Sequence, residues 1–552
     1  MKSKIKKAIG LFAVVAFIAG MLGCTDLTET LYSSLDKGNF YNNRIEVMQS
    51  ALRPFTNSHW IAPTGYRSYY YHAELSSDQL AWCQKGRHGY DSGDHIRQHY
   101  HTWDTRESNL IEVWNLIWGG VGYVNSAIND LKDFDATKVG MTAAEMDVIL
   151  NELRVFRAFH YMKAMELWGN IPIVETVGEP QNPQQNTREE VFNYCKEQLE
   201  SYVPGLSPYS ENLIGRFSQT AGYALLTELY LNAEYFVGKP MYDECIAACD
   251  KIISGQAGGL GAGNKPELAG NLTATFSNTN QKASEALFQI AFSRQAGYQF
   301  NYHYFFMGVD NMRDALNVTN TGWNSFVVIP SAFNAFAEND LRKKEWFMFG
   351  QQYYVADDPA GKWKAGDIVL GTEEWSGKPF AYVNSIRRES EGDFTSEGGM
   401  TQGEENSGAR FNKYKFGQKT DANFLENHYM VYRLTEIYFN KAEALMRKNG
   451  GTATQEAVNL INECRQRCFT AEDWEANKYT VSTLTMDELL AERGREFVFE
   501  GKRRIDLIRF NKYVTADWWD HKASNDKNRE LYPIPQTQID ANLNLKQNPG
   551  YN

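Results

Sequence analysis

Basic charge, histidine and long apolar runs are all in short supply in this chain of 552 residues. Lys and Arg total 56 against 68 Asp and Glu, a net charge of -12. Phosphate affinity rests on Lys and Arg, so this balance argues against broad nucleic-acid binding. Histidine numbers ten, and five of these fall between residues 72 and 101: His72, His88, His95, His99 and His101. They read as polar loop residues rather than a metal site. The patterns HExxH and GxSxG do not occur. The glycine run from Gly258 to Gly263 lacks the Gly-Lys-Ser/Thr ending of a phosphate loop, because Asn264 separates Gly263 from Lys265. Carboxylates are plentiful, but a sequence does not place two of them across a scissile bond. No residue set reads as catalytic.

The single long apolar run, Ile9 to Leu22, is 14 residues, too short for a spanning helix of about 20. Lys2, Lys4, Lys6 and Lys7 precede it, and Gly23-Cys24 closes it. Residues 1–23 therefore read as a signal peptide. The small residue before Cys24 has the form of a bacterial lipobox, and cleavage there leaves Cys24 as a lipid-modified N-terminus. Removing those four lysines from the 56 bases leaves 52 against 68 acids, a net -16. Asp26 and Glu29, just after the cysteine, are a weak cue for export to the outer face. Of the other six cysteines, Cys245 with Cys249 and Cys464 with Cys468 stand four apart, on one face of a helix. Zinc sites favour tighter knuckles, so these read as small core residues. Cys83 and Cys195 are isolated, and no disulfide framework is implied.

What the chain has in abundance is helical periodicity and aromatic rings. Ile111, Trp114, Trp118, Val121, Val124, Ile128 and Leu131 recur every three or four residues. Ile149, Leu153, Phe156, His160 and Ala164 do the same. Thr187 to Glu190 has the pattern of a capping box opening a helix. Further helices are expected over 217–236, 241–254, 431–445, 453–468 and 486–500. Gly119, Gly120, Gly122, Ala221 and Ala224 stand where paired helices would approach. The set suggests about four tetratricopeptide-like helix pairs, with the partner of 241–254 undetermined. The fold class is mainly α, with its scaffold at 108–254 and 429–509. Residues 57–106 and 255–428 read as long loops with a few short strands. Loops of that length in a compact protein carry function or are disordered, and their aromatic content argues against disorder.

Those loops mix exposed-type aromatics with hydrogen-bonding side chains. A pyranose offers an apolar C–H face to a ring and hydroxyls to Asp, Asn and Arg. The first loop carries Asp78, Trp82, Arg87, His88, Tyr90 and Asp91; the second carries Tyr298, Tyr302, Tyr304, Trp323 and Asn324. The expected ligand-binding set is Asp78, Trp82, Arg87, His88, Tyr90, Asp91, Trp323 and Asn324. In it the aromatics stack, and Arg87, Asp91 and Asn324 bond hydroxyls. A third feature is the charged run Glu492 to Arg509. Glu492, Glu496 and Glu500 fall four apart with arginines between them, which reads as an ion-pair network locking two helices.

In order along the chain, several stretches resemble the SusD/RagB family of outer-membrane nutrient-uptake lipoproteins. They are the lipobox at Cys24, Asn39 to Asn43, the loop from Ser77 to Asp91, and Leu153 to Tyr161 with Trp168 to Val174. Gly322 to Asn324 with Asn339 to Arg342, Tyr432 to Ala444, the run 492–509 and the tail from Tyr532 to Tyr551 complete the set. The resemblance covers nearly the whole of 24–552, read as one domain. It implies four tetratricopeptide-like pairs supporting an irregular ligand-binding half. It implies a non-catalytic glycan-binding subunit, lipid-anchored in the outer membrane and facing the exterior. That subunit would cap a SusC-like, TonB-dependent transporter and hand it oligosaccharide. No cofactor is implied, and whether a structural calcium is bound stays open. Two alternatives stand beside this reading: a peptide or other nutrient as ligand, and a glycoside hydrolase of the same uptake system.

Overall fold

The computed structural model describes residues 41–63, 67–178, 182–308, 310–392 and 398–551. Cys24 and the signal segment lie outside these. Nine scaffold helices are numbered here: α1 (Ser108–Leu131), α2 (Ala143–Trp168), α3 (Arg188–Tyr202), α4 (Gln219–Leu231), α5 (Tyr242–Ile253), α6 (Leu434–Lys448), α7 (Gln455–Arg465), α8 (Met486–Glu496) and α9 (Arg503–Arg509). Local chemistry sets their ends. Thr142 with Glu145 opens α2 and Thr187 with Glu190 opens α3, each by a reciprocal capping box that satisfies two otherwise orphaned backbone donors. The expected helix start at Thr187 is thus observed.

The helices stack in sequence. α2 packs against α1 on one side and α3 on the other. α5, whose partner the sequence left open, lies against both α4 and α6. The scaffold therefore runs on unbroken although some 180 residues separate α5 from α6. α2 sits at its centre: every residue from Val155 to Trp168 is buried, as expected of a helix enclosed on all sides. Several of its polar groups are partnered within that core. Tyr69 Oη donates to Glu166 at 2.8 Å, and Lys163 pairs with Glu228. Of the three glycines expected at the α1 contact, Gly120 alone makes it: a Cβ there would stand 2.1 Å from His160 Nε2, whereas Gly119 and Gly122 face open space. The six cysteines among the described residues are all buried and free, as expected of core residues.

Residues 291–428 leave the scaffold and return to it through one antiparallel ribbon. Ala286–Ile290 pairs with Tyr429–Arg433, Ile290 opposite Tyr429 and Ala286 opposite Arg433. The other strands are two residues long. The excursion has a small core of its own, built on Met307, Met312, Val318, Val369, Phe380, Tyr382 and Leu425. Tyr302 and Tyr304, 0% and 6% exposed, are core residues too.

A buried charged seam joins this loop half to the scaffold. Arg342, from the loops, meets Asp340 at 2.7 Å, Glu492 at 2.9 Å and Glu496 at 3.0 Å. Lys413, also from the loops, meets Glu500 at 2.6 Å. Arg433 bridges Glu496 at 3.0 Å and Glu500 at 2.8 Å, and Arg467 pairs with Glu285 and Glu496. Glu492 and Glu496 are like charges one helical turn apart, with Glu500 in the turn that follows α8, and the three coexist because cations stand between them. Isolated, each buried ion would be strongly disfavoured; paired and hydrogen-bonded, the set is tolerated and geometrically exacting. The run 492–509 is the ion-pair network its sequence suggested, and it extends well beyond two helices.

Candidate functional site

A two-residue antiparallel pairing, Leu80 with Val328 and Ala81 with Val327, brings the two aromatic loops side by side. Lys85 fastens them. Its Nζ donates to the carbonyls of Asn324 at 2.8 Å and Ser325 at 2.9 Å. Burial lowers its pKa to about 8. Arg410, fully buried, donates to Asn324 Oδ1 at 2.7 Å and Ser407 O at 2.7 Å. Both cations are thus held by neutral oxygens, which fixes the loop backbones without a surface ion pair.

The eight expected site residues separate into two groups on this base. Trp82 is a core residue at 5% exposure, stacked on His95 with ring centroids 4.0 Å apart and edge-on to Phe326. Its ring is occupied on the protein side, which corrects the expectation that it stacks on a ligand. Asp78 is gripped by Arg503 through two hydrogen bonds of 2.7 and 2.8 Å. Its carboxylate ties the first loop to α9 and is spent there. Asn324 is 7% exposed, and its amide is satisfied by Arg410 and by Glu405 O at 3.0 Å. These three hold the loops in place.

The other five reach the surface. Tyr90 is 53% exposed and Trp323 54%; no other tryptophan among the described residues is so open. Trp323 is presented by a close backbone approach. Its N–H donates to Tyr304 O at 2.7 Å, and a Cβ on Gly322 would strike Gly308 O at 2.3 Å. Only glycine fits there. Arg87 and His88 are exposed, and Arg87 Nη2 meets Glu373 Oε1 at 3.2 Å. Asp91 accepts from His95 Nε2 at 3.0 Å, and that bond lowers the Asp91 pKa. Burial holds His95 below its ordinary value, so the donor is a neutral imidazole.

Of the remaining histidines of this region, His72, His95 and His99 lie on short helices and His101 on the turn that closes one. His72, His95, His99 and His101 are buried, and only His88 faces solvent. His72 Nε2 bonds Asn109 O, His99 Nε2 bonds Trp519 O and His101 Nε2 bonds Ser76 O. Among the described residues no three His, Cys, Asp or Glu side chains converge as metal ligands. Sequence reasoning missed Glu373, which meets Arg87 across 286 positions. It also missed Arg410, which lies inside the long 255–428 loop region with no motif of its own. Neither carries a local signal that could have marked it.

A profile of the SusD family matches residues 284–551. A second, described as starch-binding and associating with the outer membrane, matches residues 43–231. The starch-binding protein SusD of Bacteroides thetaiotaomicron is 27% identical over 440 residues, covering 75% of this chain and 74% of that one. Among solved structures, a laminarin-binding SusD-like protein superposes with a TM-score of 0.69 at 18% identity. The match covers 93% of this chain and 100% of that one. Surface glycan-binding protein A of Bacteroides thetaiotaomicron, in complex with laminarihexaose, superposes with a TM-score of 0.67 at 18% identity, covering 92% and 99%. At these identities the structural likeness is one of fold.

Proposed function

This chain belongs to the SusD/RagB family, and on that premise we propose that it is a surface-exposed, non-catalytic glycan-binding lipoprotein. It captures oligosaccharide or polysaccharide and delivers it to a SusC-like TonB-dependent transporter in the outer membrane. Cys24 carries the lipid anchor and the protein faces the exterior. The observation that carries this reading is the pair of rings, Tyr90 and Trp323, each more than half exposed on loops fixed from below. A rigid exposed ring matches the C–H face of a sugar at little cost in side-chain entropy. Arg87, His88 and Asp91 stand beside Tyr90 in the first loop as partners for hydroxyls.

Asp91 is not placed to supply the proton that a glycosidase's general acid must give. A glycosidase acid must be kept protonated, whereas the His95 hydrogen bond holds Asp91 ionised. Stacking plus a few solvated hydroxyl bonds gives about 5–7 kcal/mol, a Kd of roughly 10 μM to 0.2 mM. The test is the affinity of Trp323→Ala and Tyr90→Ala, each alone, for a bound polysaccharide, with the recovered ligand analysed for chain length. A loss of about 1–3 kcal/mol per ring, by analogy with base stacking, and an intact ligand are expected. Unchanged affinity in both variants would remove the site, and a shortened ligand would make the protein an enzyme.

A further inference from the structure

The charged groups around the two exposed rings are unequal in number and already engaged. Beside Tyr90, Arg87 is 76% exposed at its side chain yet paired with Glu373, and His88 Nε2 lies 3.7 Å from the same Glu373 oxygen. Asp91 is 57% exposed and bonded to His95. On the approach to Trp323, Arg313 is shared between Asp310 at 3.1 Å and Asp314 at 2.8 Å. Thr321 donates to the same Asp310 at 2.6 Å. Two guanidiniums, Arg87 and Arg313, thus meet three carboxylates, Glu373, Asp310 and Asp314, while Asp91 is faced by His95 and, at longer range, by Arg67, itself paired with Glu112. The cations beneath, Lys85 and Arg410, are 2% and 0% exposed. They are spent on backbone carbonyls and on the Asn324 amide, so no ligand reaches them.

We infer that this site, read as a glycan site as above, takes neutral sugars and turns away uronates and sulfated sugars, and that Glu373 sets the discrimination. An anionic sugar needs an uncommitted guanidinium or ammonium within hydrogen-bond reach. Here the one strongly exposed cation of the first loop is neutralised across the rim by a residue from a distant segment. A sugar carboxylate seated beside Arg87 would also face the Glu373 carboxylate. Like charges about 4 Å apart in water repel by enough to weaken binding on the order of fivefold, and more once water is displaced. Glu373 is held in place to do this. Its neighbour Glu374 packs where a Cβ on Gly86 would fall, 2.0 Å from Oε1, and accepts from Glu405 N at 2.9 Å. The segment carrying Glu373 is thus fastened to the loop it screens.

The experiment is a glycan array probed with the purified full chain, in which each uronate or sulfated glycan is paired with its carboxyl-reduced or desulfated counterpart. In every pair that binds, the neutral member is expected to bind at least about fivefold tighter. Glu373→Gln should shrink that ratio at least fivefold, and the gained anionic binding should weaken as NaCl is raised. Arg87→Gln should widen the ratio, which keeps the test decisive if Glu373→Gln misfolds. Wild-type protein binding an anionic member as tightly as its neutral counterpart would overturn the inference and leave glycan binding standing. Binding to no glycan at all would remove the reading it rests on, and the inference with it.

Discussion

The base and the rim of the loop half use the same residue types to opposite ends. At the base, Trp82 is 5% exposed and Arg342 fully buried; at the rim, Trp323 is 54% exposed and Arg87 paired only at the surface. A buried ring contributes by excluding water and filling volume. An exposed ring leaves that contribution for a ligand to collect. A buried ion pair is worth little in net stability over an apolar replacement, yet losing one partner is costly because the other charge stays desolvated. An exposed pair is screened and contributes about 0–1 kcal/mol. The base therefore carries the fold, and under the proposed function the rim is free to set ligand chemistry.

The sharpest way to break this comparison is Glu500→Gln. It removes the shared partner of Lys413 and Arg433, with an expected loss of about 3–5 kcal/mol in urea unfolding. A loss under about 1 kcal/mol would mean the seam does not join the halves. Trp82→Ala is next, at about 3–5 kcal/mol by cavity formation, read as a lowered Tm. Glycan affinity measured well below that Tm should stay near wild type, and a loss as large as that of Trp323→Ala would return Trp82 to the site.

A third test concerns Glu74, fully buried beside the seam. Gly501 N donates to its Oε1 at 2.6 Å, while Oε2 has no partner. Burial raises its pKa from 4.5 to about 8. A raised carboxyl pKa means the folded state holds a proton that the unfolded chain releases. Its contribution to stability is complete below pH 4.5 and is lost as pH rises through about 8. Glu74→Gln should therefore gain on wild type between pH 5 and 8.5, by about 4 kcal/mol at the upper end. A difference that does not change with pH would contradict the assignment. The smallest effect belongs to Arg87→Ala, expected to move stability by less than about 0.5 kcal/mol. A larger shift in Tm would show that the rim pair is structural.

The scaffold was largely legible in the sequence because its signals are local. The stripes of α1 and α2, the box at Thr187 and Glu190, and the glutamates spaced along and just beyond α8 all act within a few turns. The loop half was not, because its contacts are distant. Trp82 and Trp323 look alike in their own polar stretches. What buries the first is a stack on His95 and an edge from Phe326, a residue on the far loop. Asp78 looks like a free hydroxyl partner until Arg503 arrives from 425 positions away. The seam was foreseen as helix pairing, but Asp340, Arg342 and Lys413 join it from the long excursion that no local pattern ties to α8.

The most direct test of the account is calorimetric titration of the purified protein with a panel of defined oligo- and polysaccharides, with each ligand recovered and sized afterwards. Saturable heat from a neutral glycan, at a Kd of roughly 10 μM to 0.2 mM and with the ligand intact, is the predicted result. A shortened ligand, or no heat from any glycan while a peptide titrates, would contradict it.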